Sequence, residues 1–205
     1  MFSLLSLLDD VASTFDDVAI MSKIAIKKTS ALMSDDLAVN AGVIDGVNAD
    51  RELPMVWKIF LGSLINKLYC ITGVLALTYF YPPLLQVILF IGGIYLAYEG
   101  AHKVVEKVTG ANNLVPKEFV TEDKKIKGAI RTDLILSIEI IVIAQNSISG
   151  TFTNQILTLL VVGFLASVLI YGLVAALVKI DDFGLYMIKS GHKRIGLGFV
   201  SSMPW

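Results

Sequence analysis

The sequence is poor in the residues on which many enzymes and metalloproteins depend. It contains one cysteine, Cys70, and two histidines, His102 and His192. A single thiol excludes an internal disulfide and a Cys-x-x-Cys metal site, and two histidines so far apart in the chain do not indicate a transition-metal site. No Ser/His/Asp set, Walker loop, GxGxxG loop or HExxH sequence is present. We therefore predict a protein that is not an enzyme and has no cofactor and no metal.

Charged residues are also scarce. They form 17% of the chain, whereas ordinary soluble domains contain about 25%. Hydrophobic residues make up 55%, and the mean hydropathy is +0.72. The net charge is −1, and the lysines are spread over several segments, so a nucleic-acid partner is excluded. The composition predicts an integral membrane protein in contact with membrane lipid.

Four apolar stretches are long enough to cross a bilayer, which takes roughly 20 residues of helix. They lie at about 56–80, 83–103, 129–148 and 154–179, and the third contains Arg131, Asp133 and Glu139. We predict an all-α fold, a membrane helical bundle of four transmembrane helices in two hairpins. An N-terminal amphipathic helix on the cytoplasmic side completes it.

The links between the spans alternate in charge. Lysine and arginine occur before the first span, in the link at about 104–128 and after the fourth span, whereas the turns YPPLL and SISGTFTN have no charge. An excess of these residues marks cytoplasmic loops, so both termini are predicted to be cytoplasmic. The predicted organisation is a cytoplasmic helix and loop at 1–55, a membrane domain at 56–190 and a tail at 191–205.

Two charged residues fall deep inside predicted spans. Lys67 is about ten residues into the first span, and Glu139 lies at a similar depth in the third. Such a residue costs roughly 2.5–3.5 kcal/mol at the bilayer centre and usually finds a partner or a water cavity, so we expect a Lys67–Glu139 ion pair. Further candidates for an intramembrane pathway are five polar residues of the first three predicted spans: Asn66, Glu99, Arg131, Thr132 and Asp133.

These interior charges leave two functions open. In the first, they line a path for a small solute or an ion, and the protein is a transporter or is channel-like. In the second, they fix the register of the helices, and the protein is a structural or assembly partner in a membrane complex or a homo-oligomer. A water-accessible route to Lys67 and Glu139 would favour the first function, and a dry pair would favour the second.

The N-terminal stretch has the pattern of an amphipathic helix. One face is acidic, with Asp9, Asp10, Asp16 and Asp17, and the opposite face is apolar, from Leu4 to Val18. Because the cytoplasmic leaflet is anionic, we expect this helix to dock on protein, at the cytoplasmic ends of the spans. Its acids would meet the basic residues found there: Lys103, Lys127, Arg131 and Lys179. The segment 29–55 is predicted to be a loop or short helical turns.

A hard-cation site is the alternative explanation for the aspartate pairs. Asp35–Asp36 and Asp181–Asp182 are also predicted to be cytoplasmic, and several carboxylates together could bind Mg²⁺ or Ca²⁺. Adjacent aspartates on a helix diverge by about 100°, so one pair cannot chelate easily by itself. The EF-hand pattern is absent, and docking or a solvated face is the preferred interpretation.

The two predicted hairpins show a weak internal similarity. KIFLGSLINKL aligns with KKIKGAIRTDL, and IYLAYEGAHKV aligns with IYGLVAALVKI. This alignment predicts a parallel hairpin duplication, as in some transport folds, with Lys67 and Asp133 at corresponding positions. Shared membrane composition is the alternative explanation.

Specific strings connect the chain to a known family. They are LLDDVASTFDDVA, ADRELPMVW, GSLINK, AYEGAHKV, KIKGAIRTDLILSIEI and YGLVAALVKIDDFG. Together they resemble the bacterial family of uncharacterised multi-pass inner membrane proteins that includes YedI of Escherichia coli, up to about residue 190. The resemblance implies a location in the bacterial inner membrane and supplies no activity and no catalytic residue. It also implies further hydrophobic sequence beyond Trp205, of which residues 191–205 would be the start.

Overall fold

The structure, a computed structural model, describes residues 4–44, 46–109 and 121–201, with side chains except at 96, 99, 103, 104, 106–108 and 181–201. The regular structure in these ranges is helical, as predicted. The five helices are α1 Leu4–Ile44, α2 Ala49–Phe80, α3 Pro83–Thr109, α4 Glu122–Gln145 and α5 Phe152–Ser201. Three stretches are long and apolar enough to cross a membrane: Ala49–Phe80, Pro83–His102 and Phe152–Ile180. The charged helix α4 is not among them, so the fourth span stays a prediction.

The helices run back and forth between two ends of a bundle. At one end, here called the turn end, α2 passes into α3 through Tyr81 and Pro82, and α4 passes into α5 through residues 146–151. At the other end, here called the basic end, α2 and α4 begin, with the lysines of 124–127 in the first turns of α4. There Arg51 Nη2 lies 2.7 Å from Glu122 Oε2, which joins the two helix starts.

The N-terminal helix is longer than predicted. The segment 29–44, expected to be a loop or short turns, continues α1 without interruption. Its buried residues explain why, since they recur every three or four positions on one face: Thr29, Met33, Asp36, Asn40 and Ile44. Packing of this face against α4 and α5 stabilises a helix whose outward side chains are polar.

This helix runs the length of the bundle, from the turn end to the basic end. Near its start, Asn154 Nδ2 at the beginning of α5 donates a hydrogen bond of 3.4 Å to Asp17 Oδ2. Ala25 packs in the apolar cluster of the turn end with Ile148 and Leu159. Its last residue, Ile44, packs in the cluster of the basic end, among residues that begin α2 and α4.

The predicted docking of the acidic helix at the basic end is therefore wrong. Asp9, Asp10, Asp16 and Asp17 are exposed, and the one of them with a described side-chain contact, Asp17, meets the turn end. The apolar side chains from Leu4 to Phe15 are exposed as well. The helix packs from Val18 onwards.

Four helices form the body of the bundle, and α3 lies outside it. α1 packs mainly on α4 and α5, and α2 packs mainly on the same two helices. The hairpin α1–α2 and the hairpin α4–α5 thus interleave, and their helices run in opposite directions, as in an inverted repeat. Among the described side chains of α3, Leu85 alone is buried. Because α3 and α5 occupy unlike positions, the hairpins α2–α3 and α4–α5 are not the equivalent pair that the predicted parallel duplication requires.

The surface of the bundle suits a membrane. Phe90 and Ile91 on α3 and Phe164 on α5 are more than half exposed, and a soluble monomer rarely exposes so much apolar surface. On α2, Trp57 and Tyr79 are exposed near opposite ends. The 22 residues between them span about 33 Å, close to the roughly 30 Å of a hydrocarbon core. Interfacial aromatic residues at this spacing are typical of a transmembrane helix.

The course of α1 predicts the sidedness of the N-terminal segment. With Cys70→Ala as background, we expect Asp10→Cys and Ser149→Cys to react with a membrane-impermeant thiol reagent from one side of oriented vesicles. Lys124→Cys should react from the other, because α1 separates Asp10 from the basic end. Labelling of Asp10→Cys and Lys124→Cys from the same side would contradict the arrangement.

Candidate functional site

Lys67 occupies the centre of α2 and is 2% exposed. Its ammonium group donates to Ser63 Oγ at 2.8 Å, to Ser137 Oγ at 3.0 Å and to Asp133 Oδ1 at 3.3 Å. An ammonium has three hydrogens to donate, so each has an acceptor. The side chain reaches back along α2 by one turn to Ser63, in the direction in which helical side chains point.

Asp133, on α4, collects more hydrogen bonds than any other described side chain. Oδ1 accepts from Ser63 Oγ at 2.8 Å, Tyr171 OH at 3.2 Å and Lys67 Nζ at 3.3 Å. Oδ2 accepts from Asn66 Nδ2 at 3.1 Å and Ser137 Oγ at 3.3 Å. Asp133 is fully buried, and its carboxyl group forms an ion pair with the ammonium group of Lys67.

A glycine brings α2 and α4 close enough to make this cluster. A Cβ on Gly62 would lie 2.5 Å from Ile130 Cδ1, so a larger residue at this position would require the Ile130 side chain or the helices to shift. One turn later, Asn66 Nδ2 donates 2.7 Å to the backbone carbonyl of Ile130. The sequence GSLINK thus places a close approach, a serine, an amide and a lysine along one side of α2.

The network extends through Tyr171 to the other two helices of the bundle. Tyr171 OH on α5 lies 3.3 Å from Asn40 Oδ1 on α1 and 3.2 Å from Asp133 Oδ1. Asn40 Nδ2 in turn donates to Asp36 Oδ1 at 2.7 Å. Asp36 is fully buried, and its second oxygen, Oδ2, has no hydrogen-bond partner among the described residues. Asp36, Asp133, Lys67 and Tyr171 are close enough to interact electrostatically.

The centre therefore contains two carboxyl groups and one ammonium. Lys67 neutralises Asp133, and Asp36 has a single amide donor from Asn40. Burial of an uncompensated charge is strongly unfavourable. Asp36 is thus the group at which a proton or another cation would complete the charge balance.

The structure corrects the predicted partner of Lys67. Glu139 is six residues after Asp133, which turns it by about 240° around α4. It faces α3 instead and lines a cavity of about 300 Å³ with Gly92 and Tyr95. The predicted third span begins at about residue 129, which would put Asp133 close to its start. The helix begins at Glu122, which places Asp133 eleven residues further along, about 16 Å from its start.

Of the other predicted pathway residues, one belongs to the network around Asp133 and two do not. Asn66 joins Lys67 and Asp133 in the network. Thr132 lines a groove between α1 and α4 near the basic end, and Arg131 is exposed. The side chain of Glu99 lies outside the described residues. The structure thus brings three of the seven candidates together.

The remaining sequence predictions concern metals and the cysteine. Among the described side chains, no three His, Cys, Asp or Glu residues come together as a metal site requires. The side chains of Asp181 and Asp182 lie outside that set. Cys70 is buried, and its Sγ lies 3.9 Å from the carbonyl oxygen of Leu134.

One further ion pair lies away from this centre, on the surface of the basic end. Arg51 Nε and Nη2 donate to the two oxygens of Glu122 at 3.0 and 2.7 Å. These hydrogen bonds hold the pKa of the Glu122 carboxyl below its ordinary value. Both side chains are well exposed, so the pair orients the helix starts and contributes little to stability.

Sequence reasoning missed Asp36 and Tyr171 as members of the site, although their spacing carries a signal. Asp36 is followed after four residues by Asn40, and Asp133 is followed after four by Ser137. Ser63 precedes Lys67 by four residues, as Ser167 precedes Tyr171. In the inverted arrangement α1 corresponds to α4 and α2 to α5, so each polar pair has a counterpart on the equivalent helix.

These features define an all-helical protein with three helices that could cross a membrane, compatible with an integral membrane protein, and with a buried charged centre. Residues 2–205 match the family described as protein of unknown function (DUF808), and the chain belongs to that family. No curated protein and no solved structure matches the chain. Membership of an uncharacterised family agrees with the resemblance seen in the sequence. The kinship with YedI and the multi-pass inner membrane character stay predictions.

The geometry predicts strong coupling between Lys67 and Asp133. Lys67→Met or Asp133→Asn alone should lower the free energy of unfolding by about 3–5 kcal/mol, because each leaves a buried charge without its partner. The double variant should lose clearly less than the sum of the two, as measured by denaturant unfolding in mixed micelles. The matched control, Glu139→Gln, should stay within about 0.5 kcal/mol of the unmodified protein. Additive losses for the two single variants would contradict the coupling.

Proposed function

We propose that this protein translocates a small ion or solute across a membrane, with the buried Lys67–Asp133–Asp36 centre as its working site. The observation that carries the proposal is the presence of two fully buried carboxyl groups and one buried ammonium at the meeting point of four helices. Ionisable residues at such depth are expensive, and in membrane proteins they mark ion paths and proton relays. The proposal assigns no enzymatic activity and no cofactor.

The depth of the centre supports this function. Lys67 lies ten residues from Trp57, about 15 Å along α2, which is half of the distance between the two exposed aromatic positions of that helix. Sites of secondary transporters lie near the bilayer midplane, at the interface of inverted repeats. The interleaved hairpins α1–α2 and α4–α5 meet at this depth, and each contributes one of the two aspartates.

The proposal includes a membrane location and orientation. We place the protein in the bacterial inner membrane, with the lysine-rich basic end in the cytoplasm, as the distribution of Lys and Arg favours. In this orientation α4 is a fourth membrane helix, and the polar residues of its middle face α2 rather than lipid. α1 accompanies the spans between the two ends, so the N-terminal acidic segment lies outside the cytoplasm.

Translocation is testable without knowledge of the natural substrate. Proteoliposomes containing a pH dye and a sodium dye, with a potassium diffusion potential set by valinomycin, should show an ion flux above that of empty vesicles. Lys67→Met combined with Asp133→Asn should abolish the flux, since it removes the charged pair while avoiding an unpaired charge. Glu139→Gln is the control and should retain the flux. No flux of either ion above empty vesicles would count against translocation of these ions.

A role as an assembly partner is the second candidate, and the outward face of α1 favours it. Lys23, Lys27, Lys28 and Asp35 are exposed there, between the two ends of the bundle. Lipid is a poor environment for four charges at this depth. A second copy of the chain that packs against this face would shield them in a homo-oligomer.

Cross-linking distinguishes this candidate. In a Cys70→Ala background, Lys27→Cys should form a disulfide-linked dimer in membranes if copies meet through α1. Phe90→Cys, on the exposed apolar side of α3, is the control for random collision and should form less. Equal, low dimer yields for both variants would argue against contact through α1.

A further inference from the structure

A groove between α1 and α4 opens beside the basic end of the bundle. It has a volume of about 660 Å³ and is lined by four residues of α1 between positions 38 and 43 and by five residues of α4 between positions 124 and 132. We call it the α1–α4 groove. The members of the charged centre, Lys67, Asp133 and Asp36, are not among its lining residues, so it is a separate feature of the bundle.

Two lysines lie at the mouth of the α1–α4 groove. Lys124 and Lys125 belong to the first turn of α4, which begins at Glu122. Their backbone N–H groups donate to the carbonyl of Thr121 at 2.9 and 3.2 Å. The positive charge of the mouth therefore comes from the ammonium groups rather than from the start of the helix. Among the described residues, neither ammonium has a carboxylate within ion-pair distance.

The start of α4 is basic overall. Glu122 is bonded to Arg51, so Asp123 is set against three lysines in the first six residues of this helix. An anion that approaches this end of the bundle therefore meets a net positive charge.

The region beyond the deeper end of the groove has the opposite charge. Asp35 on α1 and Glu139 on α4 are close enough to interact electrostatically. They lie seven residues deeper than Gly42 and Thr132, about 10 Å along their helices. A negatively charged group is therefore attracted to the mouth of the groove and repelled from its deeper end.

Glycines leave room between the two helices. A Cβ atom on Gly42 of α1 or on Gly128 of α4 would meet no neighbouring atom within 4 Å, so the space over both positions is open. Gly128 lies inside α4, where glycine is among the least favourable residues. The groove extends from Lys124 to Thr132, about 12 Å along α4, and its floor is mainly apolar, with Val39 on α1. It thus combines a basic mouth with an apolar floor.

We propose that the α1–α4 groove binds an anionic lipid of the membrane leaflet at the basic end. The lipid phosphate lies against Lys124 and Lys125, and one acyl chain lies over Gly42 and Gly128. Basic pockets between membrane helices on the cytoplasmic side recognise anionic headgroups in this way. The inference rests on the membrane location and orientation given in the proposed function, and it does not require translocation.

The charges favour a lipid over a second copy of the chain. If two copies covered this groove through a two-fold axis along the membrane normal, each would present its own Lys124 and Lys125 to those of the other. Like charges that face each other across an interface oppose association. A lipid phosphate brings the opposite charge, and its acyl chain matches the apolar floor.

Native mass spectrometry of the detergent-solubilised protein tests this site, because one spectrum counts bound lipids and copies of the chain. We expect dioleoylphosphatidylglycerol to bind at concentrations at which dioleoylphosphatidylcholine, which has the same chains and no net charge, does not. Lys124→Gln combined with Lys125→Gln should lower the affinity for phosphatidylglycerol about 25-fold, since each lysine near a membrane surface contributes about a fivefold attraction. Equal binding of the two lipids, or unchanged affinity in this variant, would overturn the proposal.

Lys58→Gln combined with Lys127→Gln is the matched control. It removes two exposed lysines from the same end of the bundle, and neither of them lines the groove. This variant should retain most of the affinity for phosphatidylglycerol. A loss as large as that of the Lys124 and Lys125 variant would show attraction by net charge alone and would overturn the site.

A larger residue in the floor tests the place of the acyl chain. Gly42→Leu should abolish the phosphatidylglycerol complex, because its side chain enters the open space of the groove. Gly172→Leu on α5 is the control outside the groove, since a Cβ atom there also meets no neighbouring atom within 4 Å, and it should bind as the unmodified protein does. Binding that Gly42→Leu leaves unchanged would contradict the position of the chain.

Two further results would assign the groove to another occupant. Displacement of phosphatidylglycerol by soluble glycerol phosphate at a similar concentration would indicate a site for a free phosphate and overturn the lipid. A dimer without bound lipid that Gly42→Leu dissociates would indicate a second copy of the chain and overturn it as well.

The lipid measurements are separate from the test of translocation, because they are made at equilibrium and require no flux. Lipid binding at this groove without ion flux would support the inference and count against translocation. Ion flux by a protein that does not distinguish the two lipids would support translocation and overturn the inference.

Discussion

The rest of the bundle depends on the buried carboxylate of Asp133. Its two oxygens accept hydrogen bonds from α2, from α5 and from its own helix, so the relative heights of three helices are fixed around one charge. In a low-dielectric interior such a network stabilises a unique arrangement when every member is satisfied, and it is costly when one member is missing. Any sideways or lengthwise shift of α2 or α5 would separate a donor from Asp133.

The network is complete on one side and incomplete on the other. Around Asp133 and Lys67, each ammonium hydrogen and each serine hydroxyl has a partner. On α1, Asp36 Oδ2 has no hydrogen-bond partner among the described residues. The two halves of the inverted arrangement therefore differ in one respect that matters. α2 contributes Lys67, whose ammonium contacts Asp133 on α4. At the equivalent position α5 contributes Tyr171, whose hydroxyl lies within hydrogen-bond distance of Asn40 on α1 and of Asp133.

The sequence predicted the helical class and the approximate positions of α2, α3, α4 and α5, because long apolar runs are strong local signals. It did not predict the extent of α1. The segment 29–44 is too polar to read as a span and too poor in turn residues to be a clear loop, and its helical state depends on packing against α4 and α5.

The candidate site was partly predictable for a related reason. Lys67, Asn66 and Asp133 were recognised because charges and amides are rare within apolar runs. The pairing of Lys67 with Glu139 rested on depth alone, and rotation about α4 decides the partner. Asp36 was considered only as a cytoplasmic cation ligand, because its helix was not expected at this depth. Tyr171 was not recognised, because a tyrosine in an apolar run is common in membrane helices.

The inverted relation between the hairpins α1–α2 and α4–α5 applies to the contacts between helices as well as to the helices themselves. The rotation that carries α1 onto α4 and α5 onto α2 carries the α1–α5 contact onto the α2–α4 contact, and it exchanges the two ends of the bundle. The two contacts are therefore equivalent in position, but the described residues join them differently. The Lys67–Asp133 ion pair and the close approach at Gly62 hold α2 against α4. The α1–α5 contact is joined by the hydrogen bonds of Asn154 with Asp17 and of Tyr171 with Asn40, so it is the less strongly held of the two equivalent contacts.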